Sequence, residues 1–243
     1  MGSRRARKTS RTKVASVAIL IGLFLVLLYQ FGLFVMVIWL SFNNPSSSSF
    51  MKTTLTELRE TNPKARLEYQ WVPYDRISAS LKHAVIASED SNFIDHDGVE
   101  WDAIRKAWRY NLRQEELGRN KMRGGSTITQ QLAKNLFLSG SRTYLRKGQE
   151  LILAYMIEAV MNKERILELY LNLAQWGTNV FGAQAAAQHY FHINASALNS
   201  RQAAQLAAML PNPDYYDHHR ETAYLQARTG IIMKRMHQVE APK

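Results

Sequence analysis

Two glutamates stand out because their neighbours could support chemistry, and Glu89 is the first of them. It follows an apolar helical segment and precedes Asp90, within the stretch SEDSNFIDHDG at 88–98. A carboxylate at the buried end of a helix, near an aromatic ring, can have its pKa raised and so serve as a general base. Most glutamates in acidic loops are ordinary surface residues, so the local sequence leaves both interpretations open.

Glu150 ends a second charged segment, SRTYLRKGQE at 141–150. On a helix, Arg142, Arg146 and Glu150 would share one face at i, i+4 and i+8. Lys147 would lie one turn before the acid. Such residues commonly form surface ion pairs, each worth about 0.2–0.5 kcal/mol. Three bases around one acid nevertheless leave a surplus of positive charge that could bind a pyrophosphate.

Between the two acids, RGGSTITQQLAKN at 123–135 carries hydroxyl and amide groups and no acid. Its glycines permit close backbone approach, and Ser126 is predicted to cap a helix. The glycine spacing and the missing Lys-Ser/Thr pair exclude a phosphate loop of the Walker type. One polar row could equally be a solvated helix face. A helix N-terminus with these groups would suit a phosphorylated sugar, bound by Ser126, Thr127, Gln130, Gln131 and Lys134.

Helices must position these segments, because apolar residues recur at helical spacing through most of the chain. Ser200 is predicted to cap a helix that Pro211 ends. A short extended piece near 67–72 is the one strand-like pattern, and the charged stretch 111–122 is predicted to be mobile. The fold class is therefore all-α. The clearest helical patterns are Trp101, Ile104, Trp108 and Leu112, and Ile166, Leu169, Tyr170 and Leu173.

The N-terminal region predicts a membrane anchor. Residues 14–40 contain no charge and exceed the roughly 20 residues that a spanning helix needs. The run is also longer than the apolar part of a signal peptide, about 7–15 residues. Residues 1–13 form a basic tail, which the positive-inside rule places in the cytoplasm. Residues 41–50 are predicted to be a polar linker, and 51–243 one folded domain outside the cytoplasm.

Composition excludes several classes of function. The formal charge is +11, but six bases precede residue 14, so the remaining chain is only mildly basic. A nucleic-acid-binding domain would keep its positive charge on the folded part, so no nucleic-acid partner is expected. The absence of cysteine excludes disulfides and thiolate metal sites. No HExxH pattern indicates zinc.

Four motifs occur in order: EDxxFxxHxG at 89–98, GGSTITQQ at 124–131 followed by Lys134 and Asn135, RKxxE at 146–150, and KxxILxxYLN at 163–172. Together they resemble the motifs of the peptidoglycan glycosyltransferases, glycosyltransferase family 51. A fifth is looser, with Arg228 followed by Ile232 and Met233 where the family usually has Arg and then Val-Leu. The resemblance covers about residues 75–237. Two S-x-x-K matches lie in the tail and linker without S-D-N or K-T-G, so the chain resembles the monofunctional biosynthetic enzymes.

The resemblance implies a lysozyme-like helical domain that polymerises lipid II, the undecaprenyl-pyrophosphate-linked disaccharide pentapeptide, into glycan strands with inversion. Glu89 would be the general base and Glu150 a second catalytic carboxylate. No cofactor is required by the sequence, although Glu150 could hold a divalent cation, Mg or Mn. The implied substrate-binding residues are Lys106, Ser126, Thr127, Gln130, Gln131, Lys134, Asn135, Arg142, Arg146 and Lys147, with Lys134, Arg142 and Arg146 as candidates for the donor pyrophosphate.

The implied partners are lipid II, the growing glycan chain, membrane lipid, and proteins of cell-wall synthesis and division. The implied location is the bacterial inner membrane, with one membrane pass and the catalytic domain on the periplasmic side. Two alternatives stay open. A lysozyme-like hydrolase would also use a glutamate but would not need the cations. A noncatalytic membrane partner of the cell-wall machinery would have no reason to keep both Glu89 and Glu150.

Overall fold

A computed structural model describes residues 2–119, 124–138 and 143–242, with side chains from residue 15 onward. The chain divides into two compact units at Phe42. The first consists of helix α1, Gly2–Phe42. Its segment Ala15–Phe42 is apolar enough to cross a membrane, with 28 residues and a mean hydropathy of 2.5. The apolar helix thus ends two residues beyond the predicted span of 14–40.

The second unit is mostly helical, which confirms the predicted fold class. Its extended structure within the described residues is one pair of parallel two-residue strands, β1 (Glu68–Tyr69) and β2 (Val180–Phe181). The predicted extended piece near 67–72 contains β1. The helices are α2 (Ser49–Thr61), α3 (Ala79–Glu89), α4 (Trp101–Glu116), α5 (Ile128–Phe137), α6 (Tyr144–Val160), α7 (Lys163–Leu173), α8 (Ala183–Phe191), α9 (Ser200–Met209), α10 (Pro213–His218) and α11 (Ala223–Arg235).

Two groups of helices form the core of this unit. Helix α9 packs against α3 and α11, and α5 packs against α6 and α7. Each helix contributes an apolar stripe at helical spacing, which is the pattern that the sequence shows. The buried stripes include Leu81 and Val85 of α3, Ile128 and Leu132 of α5, Leu153 and Ile157 of α6, and Leu206 of α9.

Two predicted boundaries differ from the structure. Helix α9 is capped by Asn199, whose side chain accepts from the Gln202 N–H while Gln202 bonds back to the Asn199 N–H. Ser200 is therefore the first helical residue, because the amide before it completes this reciprocal pair. The segment that joins α1 to α2 is also shorter than the predicted linker of 41–50. Residues 41–42 continue α1, and the buried Ser48 caps α2 by accepting from Met51 N–H at 3.1 Å.

Helix α4 extends further than predicted. It runs to Glu116. Gly118 follows with a φ of 64°, the left-handed conformation that commonly terminates helices. The first half of the predicted mobile stretch 111–122 is thus helical, and residues 120–122 lie outside the described residues. The apolar stripe of α4 is also not core. Trp101, Trp108 and Leu112 are 52%, 64% and 40% exposed.

Candidate active site

A cleft of about 810 Å³ lies where the end of α3 meets α4, the start of α5 and α11. Glu89 lines it, together with the glycine-rich segment that precedes α5. One side is formed by Lys106 and Tyr110 of α4, and another by three residues of α11. The size is that of a pocket for a small ligand or a sugar unit.

Glu89 is the last residue of α3, and its side chain is 12% exposed. Gln131 Nε2 donates to its Oε2 at 3.0 Å. Ser88 Oγ lies 3.0 Å from Oε1, and Arg228 Nη2 lies 3.9 Å from the same oxygen. One amide, one hydroxyl and one more distant guanidinium therefore surround a carboxylate that faces the cleft.

The neighbouring Asp90 has a structural position instead. It is 5% exposed and accepts from Ile128 N–H at 2.9 Å, which joins the end of α3 to the start of α5. His96 Nε2 also lies 3.0 Å from this carboxylate, and Gly98 N–H donates to His96 Nδ1. Since Nδ1 accepts, the proton of the neutral ring is on Nε2 and is donated to Asp90. These bonds hold the first motif against α5.

The fourth motif supports the same loop through Lys163. Its ammonium donates to the His96 carbonyl at 2.5 Å and to Glu158 Oε1 at 2.8 Å. Thr129 of α5 donates to the same Glu158 oxygen at 2.6 Å. Gly98, with φ 86°, is required here because a Cβ would lie 2.7 Å from Glu158 Cγ. The first, second and fourth motifs therefore form one hydrogen-bonded unit beneath the cleft.

Thr127, rather than the predicted Ser126, caps helix α5. Its Oγ1 accepts from Gln130 N–H at 3.2 Å, and Gln130 Oε1 accepts from Thr127 N–H at 2.9 Å. Thr127 also donates to the Gly98 carbonyl at 2.6 Å. Thr127 has the extended backbone of a cap residue and directly precedes Ile128, the first residue of the helix. Ser126 lies one residue earlier and lines the cleft. Gln130 is fully buried in this capping box.

Glu150 lies in a different environment. It is 3% exposed, and its two oxygens bond Arg146 Nη1 at 2.9 Å and Lys147 Nζ. Lys147 also donates to Ser126 Oγ at 3.1 Å, so this cluster reaches the cleft wall. Two cations around one acid leave one net positive charge beside Ser126. Arg146 Nε is buried and has no hydrogen-bond partner within the described part of the chain.

The remaining predicted residues divide between the cleft and its surroundings. Lys106 and Gln131 line the cleft. Asn135 is 7% exposed within α5, and Lys134 Nζ lies 5.8 Å from the ring centroid of Phe50. Arg142 lies outside the described residues, and α6 begins at Tyr144.

Comparison with known proteins decides the family. Residues 54–237 match the family profile described as Transglycosylase. The chain belongs to this family. It is 63% identical over 237 residues to the biosynthetic peptidoglycan transglycosylase of Bordetella pertussis, covering 98% of both chains. Identity is 61% over the full length of both chains for Bordetella avium, and 55% for Janthinobacterium sp. (strain Marseille), covering 92% and 95%, for proteins of the same name. The resemblance seen in the motifs is confirmed, as is the lysozyme-like helical fold of the transglycosylase domain.

Three residues of α11 line the transglycosylase cleft but were not predicted as site residues from the sequence. Tyr224, Arg228 and Arg235 line the cleft from α11. Arg228 Nη2 donates to Ser88 Oγ at 3.2 Å, and Arg228 Nε is buried without a partner among the described residues. Arg228 could have been found, because it begins the fifth motif. No local pattern marks the other two, which reach the cleft because α11 packs on α3 and α9.

A divalent cation does not fit the transglycosylase residues as they are arranged. Among the side chains that the structure describes, no group of three His, Asp or Glu residues could hold a metal ion. Both oxygens of Glu150 already bond cations of the protein. To bind a metal ion, Glu150 would first have to release Arg146 or Lys147. No step of the chemistry below is therefore assigned to a metal.

Proposed function

We propose that this transglycosylase polymerises lipid II into peptidoglycan glycan strands, with Glu89 as the general base. The observation that carries the assignment is the position of Glu89, on the cleft wall and bonded to neutral donors. A base needs an accessible lone pair, and a carboxylate neutralised by a salt bridge would be a weaker one. The name shared by the relatives supports biosynthesis of peptidoglycan.

The proposed reaction joins a lipid-linked glycan donor to a lipid II acceptor. Glu89 takes the proton of the acceptor 4-hydroxyl while that oxygen attacks the anomeric carbon of the donor. The bond between this carbon and the pyrophosphate oxygen breaks, and undecaprenyl pyrophosphate leaves with the electron pair. Attack from the face opposite the leaving group inverts the anomeric centre. The protein must therefore supply one base and stabilise developing negative charge on the pyrophosphate.

Cations on the described residues can supply that stabilisation. The Arg146, Lys147 and Glu150 cluster carries one net positive charge and touches the cleft at Ser126. Arg146 does not itself line the cleft, and its Nε, buried and without a partner among the described residues, is one donor that this cluster has not used. Charge-assisted contacts to phosphate are stronger than neutral ones. We propose that the donor pyrophosphate binds at this edge of the cleft, near Ser126.

A hydrolase is disfavoured by the state of the other acids. A glycoside hydrolase normally uses two carboxyl groups that flank the scissile bond. Asp90 is buried and bonded to Ile128 and His96, and Glu150 is bonded to two cations. Glu100 also lines the cleft and accepts from a neutral amide, Asn92 Nδ2, at 2.9 Å, so a hydrolase would have to use it as the second carboxyl group. A readily departing pyrophosphate needs no acid catalyst, so the transferase needs only one free carboxylate.

We further propose that the catalytic unit works at the periplasmic face of the inner membrane. The apolar helix at Ala15–Phe42 supports membrane anchoring. The basic tail before it supports a cytoplasmic N-terminus. Exposed Trp108 and Leu112 on α4, interspersed with arginines, have the composition of an interfacial helix and support contact with lipid. Partners among the proteins of cell-wall synthesis and division stay a prediction.

The decisive experiment supplies the purified full-length chain with lipid II in detergent. We expect long glycan strands and release of undecaprenyl pyrophosphate in step with each bond formed. A matched reaction on finished peptidoglycan should yield no soluble fragments. Cleavage of finished peptidoglycan without use of lipid II would overturn the proposal in favour of the hydrolase. A folded protein inactive in both assays would favour the noncatalytic partner.

A truncation tests the anchor separately. Removal of residues 1–42 keeps Asn43 and Asn44, which bond Arg165 of α7 at 2.7 and 2.9 Å. We expect polymerisation on liposomes to fall strongly, because tethering raises the effective substrate concentration, while activity in detergent persists. The comparison is glycan synthesis by both proteins in both settings. A folded truncated protein without activity in either would show that the anchor contributes to the catalytic site.

A further inference from the structure

Tyr170 of α7 is a buried tyrosine whose hydroxyl points to the cleft machinery. It is 2% exposed and donates to Gln131 Oε1 at 2.9 Å. The other end of the Gln131 amide donates to Glu89 Oε2 at 3.0 Å. A chain of two hydrogen bonds therefore runs from the core of the protein to the proposed base.

The direction of these bonds follows from both ends: the Glu89 carboxylate can only accept, and among the described residues the buried Tyr170 hydroxyl has Gln131 Oε1 as the acceptor of its proton. Burial raises the pKa of Tyr170 well above its usual range, and the negative charges of Glu89 and Asp90 raise it further. The hydroxyl therefore stays protonated and can donate its proton. An amide that accepts at its oxygen must turn its NH₂ group the other way. Gln131 consequently presents an N–H, rather than a carbonyl oxygen, to Glu89.

The alternative orientation would oppose catalysis. With the amide reversed, the Gln131 oxygen would face the Glu89 carboxylate, and two acceptors would repel. The carboxylate would lose a hydrogen bond that favours its charged form and holds its Oε2 in place. Among the residues that the structure describes, its other oxygen has only Ser88, whose single proton is shared with the Ala207 carbonyl at 3.3 Å, and the distant Arg228.

We propose that Tyr170 is a positioning residue for the reaction, acting on Glu89 through the orientation of Gln131. This inference rests on the proposed function, because it takes Glu89 as the base. Neither Tyr170 nor its hydroxyl need touch the substrate. Its role is to fix which end of an amide the base meets, so that the base is ionised and aligned before the acceptor arrives.

The first test is Tyr170→Phe in the full-length chain, assayed on lipid II in detergent. The ring stays and only the hydroxyl is lost, so the fold should persist. We expect kcat to fall roughly tenfold, because the released Gln131 amide would hold Glu89 less well and the bond weakened there is one to a charged group. KM should change little. The acidic limb of the pH–rate profile should move to higher pH, because a carboxylate with fewer N–H donors holds its proton more tightly.

Tyr190→Phe is the matched control. Its hydroxyl lies 2.8 Å from Asp217 and 2.9 Å from the Trp176 carbonyl, groups that do not line the cleft. It also loses a buried hydroxyl, so it reports the general cost of that change. We expect a lower melting temperature with an unchanged pH–rate profile. A profile shift of the same size in Tyr190→Phe would overturn the positioning role.

A double-mutant cycle separates positioning from packing. In a Gln131→Leu background the amide is absent, so Tyr170→Phe should cause no further loss of kcat. Additive losses would show that Tyr170 does not act through Gln131. An unchanged kcat and pH profile in the Tyr170→Phe variant would also overturn the inference. Glu89→Gln tests the proposed base separately from the proposed role of Tyr170. If Glu89→Gln is inactive while Tyr170→Phe behaves like the unchanged protein, the positioning role of Tyr170 is wrong and Glu89 remains the base. If Glu89→Gln is active, the assignment of the base is wrong.

Discussion

The two glutamates that the motifs single out differ in everything that surrounds them. Glu89 faces the cleft and bonds an amide and a hydroxyl. Glu150 is nearly inaccessible and bonds two cations. A carboxylate with neutral donors keeps its capacity to take a proton, whereas one between two cations mainly holds those cations in place. The difference indicates one chemical and one organising acid.

Of the variants that test this comparison, Glu89→Gln should have the largest effect on polymerisation. It removes the base while it keeps the shape of the side chain, so we expect polymerisation to fall by about 10²–10⁴-fold. The melting temperature should change little, since within the described part of the chain the salt bridge of Glu89 is the 3.9 Å contact to Arg228. Lipid II turnover and thermal unfolding in detergent measure both. Near-normal turnover by the folded variant would contradict the assignment.

Glu150→Gln should show the opposite balance. Arg146, with 17% of its side chain exposed, would lose a buried partner. Removal of one member of a buried ion pair costs about 3–5 kcal/mol, and we expect the lower end because Lys147 can turn to solvent. Thermal unfolding should therefore show a clear loss of stability, larger than for Glu89→Gln. Equal stability of the two variants would remove the distinction between the acids.

Arg146→Ala should also lower stability, because it removes the other member of the buried pair with Glu150, and it should add a smaller loss that is specific to the donor. The pyrophosphate would lose a charge-assisted contact worth roughly 1.5–3 kcal/mol, which appears as a lower kcat/KM for lipid II. Steady-state kinetics at several salt concentrations measure it. Unchanged kinetics would mean that the cluster consists of structural ion pairs only.

Lys134→Ala should have the smallest effect on kcat/KM for lipid II among these variants. It tests further where the pyrophosphate binds. Neither Lys134 nor Arg146 lines the cleft, but Arg146 is joined through Glu150 and Lys147 to Ser126 on the cleft wall, whereas the Lys134 ammonium lies 5.8 Å from the Phe50 ring centroid. We therefore expect a fall in kcat/KM smaller than that of Arg146→Ala. The two variants are compared in the same lipid II assay. A larger effect for Lys134→Ala would place the pyrophosphate on the α5 side of the cluster.

Much of this molecule could be predicted from its sequence because its signals are local. Apolar periodicity located the helices, and motif spacing located both Glu89 and Glu150. Prediction was wrong by one residue at Ser126 and Ser200, where two adjacent residues could both cap a helix. The structure decided these cases through reciprocal bonds with Gln130 and Gln202. Such bonds depend on geometry that propensity does not contain.

Other features depend on tertiary packing and left no local signal. The stripe of Trp101, Trp108 and Leu112 has the period of a core helix, but period shows which residues share a face and not what covers it. Arg235 and Tyr224 became cleft residues because α11 packs on α3 and α9. The Tyr170 contact with Gln131 joins residues 39 apart, beyond the reach of any helical pattern.

The glycine pair before α5 has a consequence for the width of the cleft. At Gly125 a Cβ would lie 3.0 Å from the Ala103 carbonyl oxygen and from Ile104 Cα, whereas at Gly124 it would meet nothing within 4 Å. A methyl group at 125 would therefore push α4 outward by a few tenths of an ångström. Lys106 and Tyr110 are carried by that helix, so the spacing between opposite walls depends on a hydrogen atom where other residues have carbon.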